Sequence, residues 1–198
     1  MTSVSETKAA SRIGLVAALE TLRRVRRDDE VVIPTMGSAR EWMTLGDPHA
    51  LDFILVPSAM GHGTSIGLGL ALAQPNKRVI VCSGDGSLLM NLGSLASIVA
   101  ANVPNLVVIV FDNGVYEVTG QQPTASADFC GVARACGFES VHAFSDATSW
   151  ADGARSALDA EGPTFVCLNV EPVIGGTAPH SPGPTAARAK RFMEALRR

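Results

Sequence analysis

Two polar clusters one crossover apart, Gly84-Asp85-Gly86-Ser87 and Asp112-Asn113-Gly114, constrain this 198-residue chain more than any other feature. Each closes a short apolar run, Val79-Ile80-Val81-Cys82 before the first and Leu106 to Phe111 before the second. Short apolar runs bounded by turn residues read as buried strands. Leu88 to Asn102, between them, reads as a helix. A strand–helix–strand crossover brings the second strand back parallel to the first. Asp85 and Asn113 then both stand past the carboxyl ends of strands, which is where open α/β sheets bind ligands.

A carboxylate, a side-chain amide and backbone carbonyls are hard oxygen donors. They suit Mg²⁺, which shares an octahedral shell with phosphate groups. Gly84 and Gly86 let the backbone approach a bulky anion. Ser87 lies where the next helix begins, so free N–H groups and the helix dipole point at that anion. Together these residues predict a diphosphate bridged to the protein by Mg²⁺. The plainer alternative is a pair of unrelated strand-to-helix turns.

The rest of the chain alternates strands and helices. Met1 to Lys8 reads as a loose tail and residues 9–198 as one domain. Ala9 to Arg27 is helical by period, Val31-Val32-Ile33 a strand, and Ala39 to Leu45 a short helix. Phe53 to Val56 reads as a strand, and Met60 to Ala73 as a Gly- and Ala-rich helix lying close to the sheet. Beyond the second cluster come helices over Asp128 to Cys136 and Thr148 to Ala160, with strands over Ser140 to Ala143 and Phe165 to Val170. Glu171 to Pro184 is a Gly- and Pro-rich loop, and Thr185 to Arg197 is the closing helix. The expected fold is α/β: a doubly wound, mostly parallel six-stranded sheet with helices on both faces.

A net charge of −3 gives no general attraction to nucleic acid or an acidic membrane. Arg23, Arg24, Arg26 and Arg27 cluster at the end of the first helix, where they suit the dipole. A solvated face is the plainer reading of that cluster and an acidic partner the other. The cysteines, Cys82, Cys130, Cys136 and Cys167, show no C-x-x-C spacing and no zinc or iron–sulfur ligand set. Cys82 and Cys167 fall in expected strands as small core residues. No signal-peptide core and no spanning apolar stretch is visible, so the expected location is cytoplasmic, with reduced thiols.

Gly-Asp-Gly followed about two dozen residues later by an Asp-Asn pair resembles the thiamine diphosphate (ThDP) fingerprint of the ThDP-dependent enzymes. Ser58-Ala59-Met60-Gly61-His62-Gly63, the run Gly84 to Leu95 and the run Asn113 to Thr124 resemble segments of sulfopyruvate and phosphonopyruvate decarboxylases. Gln121 stands where that family has Gly. The likeness covers residues 12 to 172 and is greatest to the β, diphosphate-binding subunit of the sulfopyruvate enzyme.

The resemblance implies that Asp85, Asn113 and the carbonyl of Val115 hold Mg²⁺. It implies that Met60 wedges between the two rings of ThDP, with backbone contacts to the aminopyrimidine near Ser58 and Met60. Gly37 and Ser38, past the first strand, are further contacts for the diphosphate. Tyr116 follows the metal loop as another cofactor contact, with Glu117 beside it. His62 would lie beside the cofactor, where its ordinary pKa suits proton transfer; a hydrogen-bonding His at a helix terminus is the competing reading.

The family also needs a Glu that activates the pyrimidine, and it comes from a pyrimidine-binding domain that this length leaves no room for. The implied protein is the β subunit of a split, heterooligomeric enzyme, with a separate pyrimidine-binding (α) subunit. The implied reaction is decarboxylation of 3-sulfopyruvate or a similar anionic pyruvate to the aldehyde and CO₂, with Arg40 the nearest cationic clamp. A 2-oxo acid oxidoreductase β subunit, a carboligase and a regulatory module are the competing readings.

Overall fold

The computed structural model describes residues 12–54, 60–177 and 180–198. The chain enters through α1 (Leu15–Val25), β1 (Val31–Pro34), α2 (Met36–Thr44) and α3 (Gly63–Ala73). It continues through β2 (Val79–Gly84), α4 (Asp85–Leu89), α5 (Ser94–Ala101) and β3 (Leu106–Asp112). A small antiparallel pair follows, β4 (Val115–Tyr116) with β5 (Gln122–Pro123), unforeseen from the sequence. The last part holds α6 (Phe129–Cys136), β6 (Ser140–Phe144), α7 (Ala147–Asp159), β7 (Thr164–Asn169) and α8 (Thr185–Leu196). The expected tail, Met1 to Lys8, lies outside the described residues.

Five strands form one parallel sheet in the order β1-β2-β3-β7-β6. The sixth strand, expected over Phe53 to Val56, is reduced among the described residues to a bridge between Asp52 and Val32 beside β1. A turn intervenes there: the His49 and Asp52 backbones bond to each other, and the Asp52 carboxylate accepts the His49 N–H at 2.9 Å. Residues 55 and 56 lie outside the described part.

Strand periodicity divides the core. Side chains alternate across a strand, so Val79 and Val81 face one side while Ile80 and Cys82 face the other. One face is covered by α1, α2 and α7, with Trp42 and Trp150 fully buried in it. The other is covered by α3, α5, α6 and Phe192 of α8. Gly67 lets α3 close on the sheet; a Cβ there would stand 2.2 Å from the Val81 side chain. The helix expected over Leu88 to Asn102 is two helices. Asn91, between them, donates its amide to the Gly61 carbonyl at 2.9 Å, and Gly93 caps α5. That side-chain bond ties the break to the start of α3.

Of the arginines ending α1, Arg24 and Arg27 are exposed, as a solvated face would be, while Arg23 and Arg26 are half-buried. Arg26 pairs with the buried Asp52, and Arg27 pairs with Asp159 at 2.8 Å. Arg155 grips the buried Glu30 through both carboxylate oxygens, at 2.9 and 3.1 Å. These pairs weld α1, α7 and the β1 edge together.

Leaving β1, the chain runs to the Asp52 edge, then crosses through α3 into β2 on the opposite side of β1. The order of strands therefore reverses between β1 and β2, and a crevice opens at their carboxyl ends. Among the described residues no helix is long and apolar enough to cross a membrane.

The four cysteines are free thiols. Burial pushes the Cys82 thiol far up, and it pushes Cys167 up to about 12. Thiolate is the reactive form, so a thiol reagent at about pH 8 should leave both unmodified in the folded chain. Mass spectrometry of the labelled native protein checks this, and rapid modification of Cys82 would contradict the packing described.

Candidate functional site

The crevice is built on the sharp strand-to-helix turn at the end of β2. Gly84 ends the strand and α4 starts at once with Asp85, which is 1% exposed. Asp85 Oδ2 accepts the Gly114 N–H at 3.0 Å and the Thr124 hydroxyl at 2.8 Å. Both donors come from the segment that follows β3. The carboxylate thus ties together the two clusters that open the sequence, across 29 residues of chain.

Burial pushes the Asp85 carboxyl up, while bonds from Thr124 and from the Gly86 and Gly114 amides pull it down. Burial and the neighbouring Asp85 charge likewise raise Asp112. The contrast with the other buried acids is informative. Glu30, Asp52 and Glu117 each pair with an arginine, Arg155, Arg26 and Arg40 respectively. Asp85 forms no such pair among the described residues. A buried carboxylate without a positive partner costs several kcal/mol, and a bound cation removes that cost.

The other oxygen donors lie close by in sequence and space. Asn113 Oδ1 accepts the Val115 N–H at 2.9 Å, and its Nδ2 donates to Glu117 Oε2 at 3.0 Å. The Val115 carbonyl accepts the Glu117 N–H at 3.0 Å. Each of these sp² oxygens retains a second lone pair. Among the described residues no three His, Cys, Asp or Glu side chains cluster as metal ligands. The donor set is therefore one carboxylate, one amide and one carbonyl, which favours a hard cation such as Mg²⁺.

These donors line an open cleft. Of the residues expected to contact cofactor or metal, Gly37, Ser38, Met60, Gly84, Asp85, Gly86, Ser87, Asn113, Val115 and Tyr116 all line it. Ser58 lies outside the described residues. His62 is exposed where α3 begins and is not part of the cleft lining.

The shape of the cleft accommodates a diphosphate. A Cβ on Gly84 would meet nothing within 4 Å, so the backbone is open to a ligand there. A Cβ on Gly86 would stand 2.6 Å from the Tyr116 ring, so ring and backbone lie in direct contact. On the β1 side, α2 starts at Met36 with φ +52°, a strained value for a side-chain-bearing residue. The turn leaves the first-turn amides of α2 at the cleft, the arrangement that binds anions. The Ser38 hydroxyl is buried and donates to the Cys82 carbonyl at 3.0 Å, so it holds α2 to β2.

Several participants were not legible in the sequence. Thr124 reaches Asp85 only because β5 folds back on β4. Leu15 and Val170 form an apolar wall from opposite ends of the chain. Gln121 adopts φ +62°, the left-handed region that Gly favours, and its amide donates to the Glu117 and Val173 carbonyls at 3.0 and 3.2 Å. Those bonds offset the strain of a non-Gly residue there. Arg40 is not a free cation: it pairs with Glu117 at 2.6 Å and Glu41 at 2.7 Å, and donates to the Thr177 carbonyl at 2.9 Å. The expected substrate clamp is thus already committed to partners within the chain.

Comparison with known proteins gives consistent results. Residues 35–168 match the C-terminal TPP binding domain of thiamine pyrophosphate enzymes. Phosphonopyruvate decarboxylase of Streptomyces viridochromogenes is 44% identical over 83% of this chain and 42% of its own length. The β subunit of sulfopyruvate decarboxylase of Methanothermobacter thermautotrophicus is 36% identical over 80% of this chain and 84% of its own length. The chain thus spans less than half of the phosphonopyruvate decarboxylases it matches, 42% and 39%. The solved structure of a ThDP-dependent 4-hydroxybenzoylformate decarboxylase from Rhodococcus jostii superposes with a TM-score of 0.70 at 20% identity. It covers 86% of this chain and 35% of the other, and it speaks to the fold.

The contact at Gly86 generates a direct test. Gly86→Ala forces the Tyr116 ring away, and overpacking of this kind costs about 1–3 kcal/mol. At roughly 2–4 °C per kcal/mol, the melting temperature should fall by several degrees. Thermal denaturation checks it, and an unchanged melting temperature would show that the ring does not rest on this glycine.

Proposed function

This chain belongs to the thiamine pyrophosphate enzymes, and we propose that it is the diphosphate-binding β subunit of a split, ThDP- and Mg²⁺-dependent 2-oxo acid decarboxylase. The proposed substrate is 3-sulfopyruvate or a similar anionic pyruvate, and the products are the aldehyde and CO₂. The observation that carries this reading is Asp85: a buried carboxylate without a cationic partner among the described residues, joined to the Asn113 loop where the strand order reverses.

Each group has a role in the reading. Asp85, Asn113 Oδ1 and the Val115 carbonyl hold Mg²⁺. The amides at Gly86, Ser87 and the start of α2 (Gly37, Ser38) take the diphosphate, with Gly84 giving it room. Met60 and Tyr116 orient the rings, and Leu15 and Val170 keep water from the wall. His62 carries a proton at the rim, where the partner covers it. When bound, ThDP would supply the nucleophilic carbon and the electron sink that decarboxylation of a 2-oxo acid needs.

Two observations support a separate α subunit. The sulfopyruvate decarboxylase β subunits are matched over 84–91% of their own length. In addition, Gly63 to Gln74 and Gly86 to Phe111 contain no charged residue. On their outer surface Leu72 and Met90 are 56% and 52% exposed. A helix apolar all round, as α3 is, belongs in an interior. We assign this face, which starts at the cleft rim where Gly61 touches Met90, to the pyrimidine-binding partner that carries the activating Glu.

Copurification of the partner, followed by CO₂ detection with sulfopyruvate, phosphonopyruvate and pyruvate, tests the activity. The complex should release CO₂ from an anionic pyruvate only with ThDP and Mg²⁺ present; release by the isolated chain would contradict the split. The surface has its own test. Leu72→Arg places a charge in a predominantly apolar interface, and it should weaken assembly by about 2 kcal/mol or more, read by analytical ultracentrifugation, with the melting temperature of the free chain unchanged. Normal assembly by that variant would move the partner to another face.

A further inference from the structure

The metal-ligating atom of Asn113 depends on a choice that the amide cannot make by itself. Its oxygen and nitrogen are nearly the same size, and only the oxygen can bind a cation. The structure fixes the choice twice over. Nδ2 donates to Glu117 Oε2 at 3.0 Å, and Oδ1 accepts the Val115 N–H at 2.9 Å. Turning the amide over would set its oxygen against a carboxylate and its NH₂ against an N–H.

Glu117 is built for that purpose. Its side chain is 5% exposed, and both oxygens are used. Oε1 takes Arg40 Nη2 at 2.6 Å; Oε2 takes Asn113 Nδ2 and the Val173 N–H, the latter at 2.9 Å. The ion pair with Arg40 makes Glu117 a pure acceptor, so it receives only the NH₂ side of Asn113. The same carboxylate abuts the start of α2, where a Cβ on Gly37 would stand 3.0 Å from Oε1.

We propose that Glu117 is the positioning residue of the cation site: it orients the Asn113 amide so that Oδ1 is the atom offered to Mg²⁺, and Arg40 holds Glu117 in place. The inference rests on the cofactor reading above and adds a residue to it. Glu117 does not touch the cation; it acts through Asn113.

The test exchanges donor and acceptor. Glu117→Gln can present its own NH₂ to Asn113, which invites the amide to turn over. Asn113→Asp together with Glu117→Gln removes the problem, because both oxygens of an aspartate bind cations and the new Gln NH₂ can hold one of them. Calorimetry of ThDP uptake by the complex with the pyrimidine-binding partner, with and without Mg²⁺, reads the outcome. Loss of an outer partner of a metal ligand weakens binding by about 10–100-fold. Glu117→Gln should lose that much of the Mg²⁺-dependent affinity, leave Mg²⁺-free uptake unchanged, and regain most of the loss in the double variant. A general structural defect would not be repaired by a second change at the ligand.

Wild-type affinity in Glu117→Gln, or a double variant no tighter than the single one, overturns the proposal. If Glu117→Gln does not fold, the folded double variant decides: near-wild-type Mg²⁺-dependent binding supports the role and absence of binding overturns it. A wild-type complex that takes up no ThDP with Mg²⁺ overturns the cofactor reading itself, and this inference with it.

Discussion

A carboxylate buried without a counter-charge governs the site. Asp85 is as inaccessible as the core valines around it, yet no lysine or arginice side chain answers it among the described residues. Two hydrogen bonds from the Asn113 side soften the cost of burial but supply no counter-charge. The chain solves the same problem differently elsewhere, with an arginine for each of Glu30, Asp52 and Glu117. One exception among the buried acids of the described residues marks a place suited to a positive charge from outside the chain.

The fold creates that place through topology. The reversal of strand order between β1 and β2 sets a crevice at their carboxyl ends. Two helices, α2 and α4, begin at that crevice, so their amides face it. The strain at Met36 and Gln121 is local to the same region, where tight turns set backbone and side chains around the cleft. Beneath it, Gly67 lets α3 settle onto Val81, which keeps the floor rigid.

Particular residues show how far the sequence could be read. The alternation through β2 and β3 and the Gly-Asp-Gly turn carried their meaning locally, because strand period and turn chemistry are short-range effects. The helix over Leu88 to Asn102 did not, since its break depends on an Asn91 bond to Gly61, 30 residues away. Of the strand expected over Phe53 to Val56, the described residues show a short bridge to β1, preceded by a turn that holds the Arg26–Asp52 pair. Arg40 looked like a free cation and proved to be bound to Glu117, a partner 77 positions distant. Gln121, set where the related family has Gly, keeps the glycine-like conformation by donating its amide to two carbonyls.

By itself the amino-acid sequence determined the parallel α/β class, the two polar clusters at strand ends and the oxygen-donor chemistry they offer. All three follow from the order of residue types along a few turns of chain. The tertiary structure alone decided which acids pair with an arginine and that Asp85 has none among the described residues, that Thr124 and Gly114 converge on Asp85, and which way the Asn113 amide faces. Those are matters of contact between segments far apart in the chain, and hydrogen bonds of that range exist only once the sheet has brought them together.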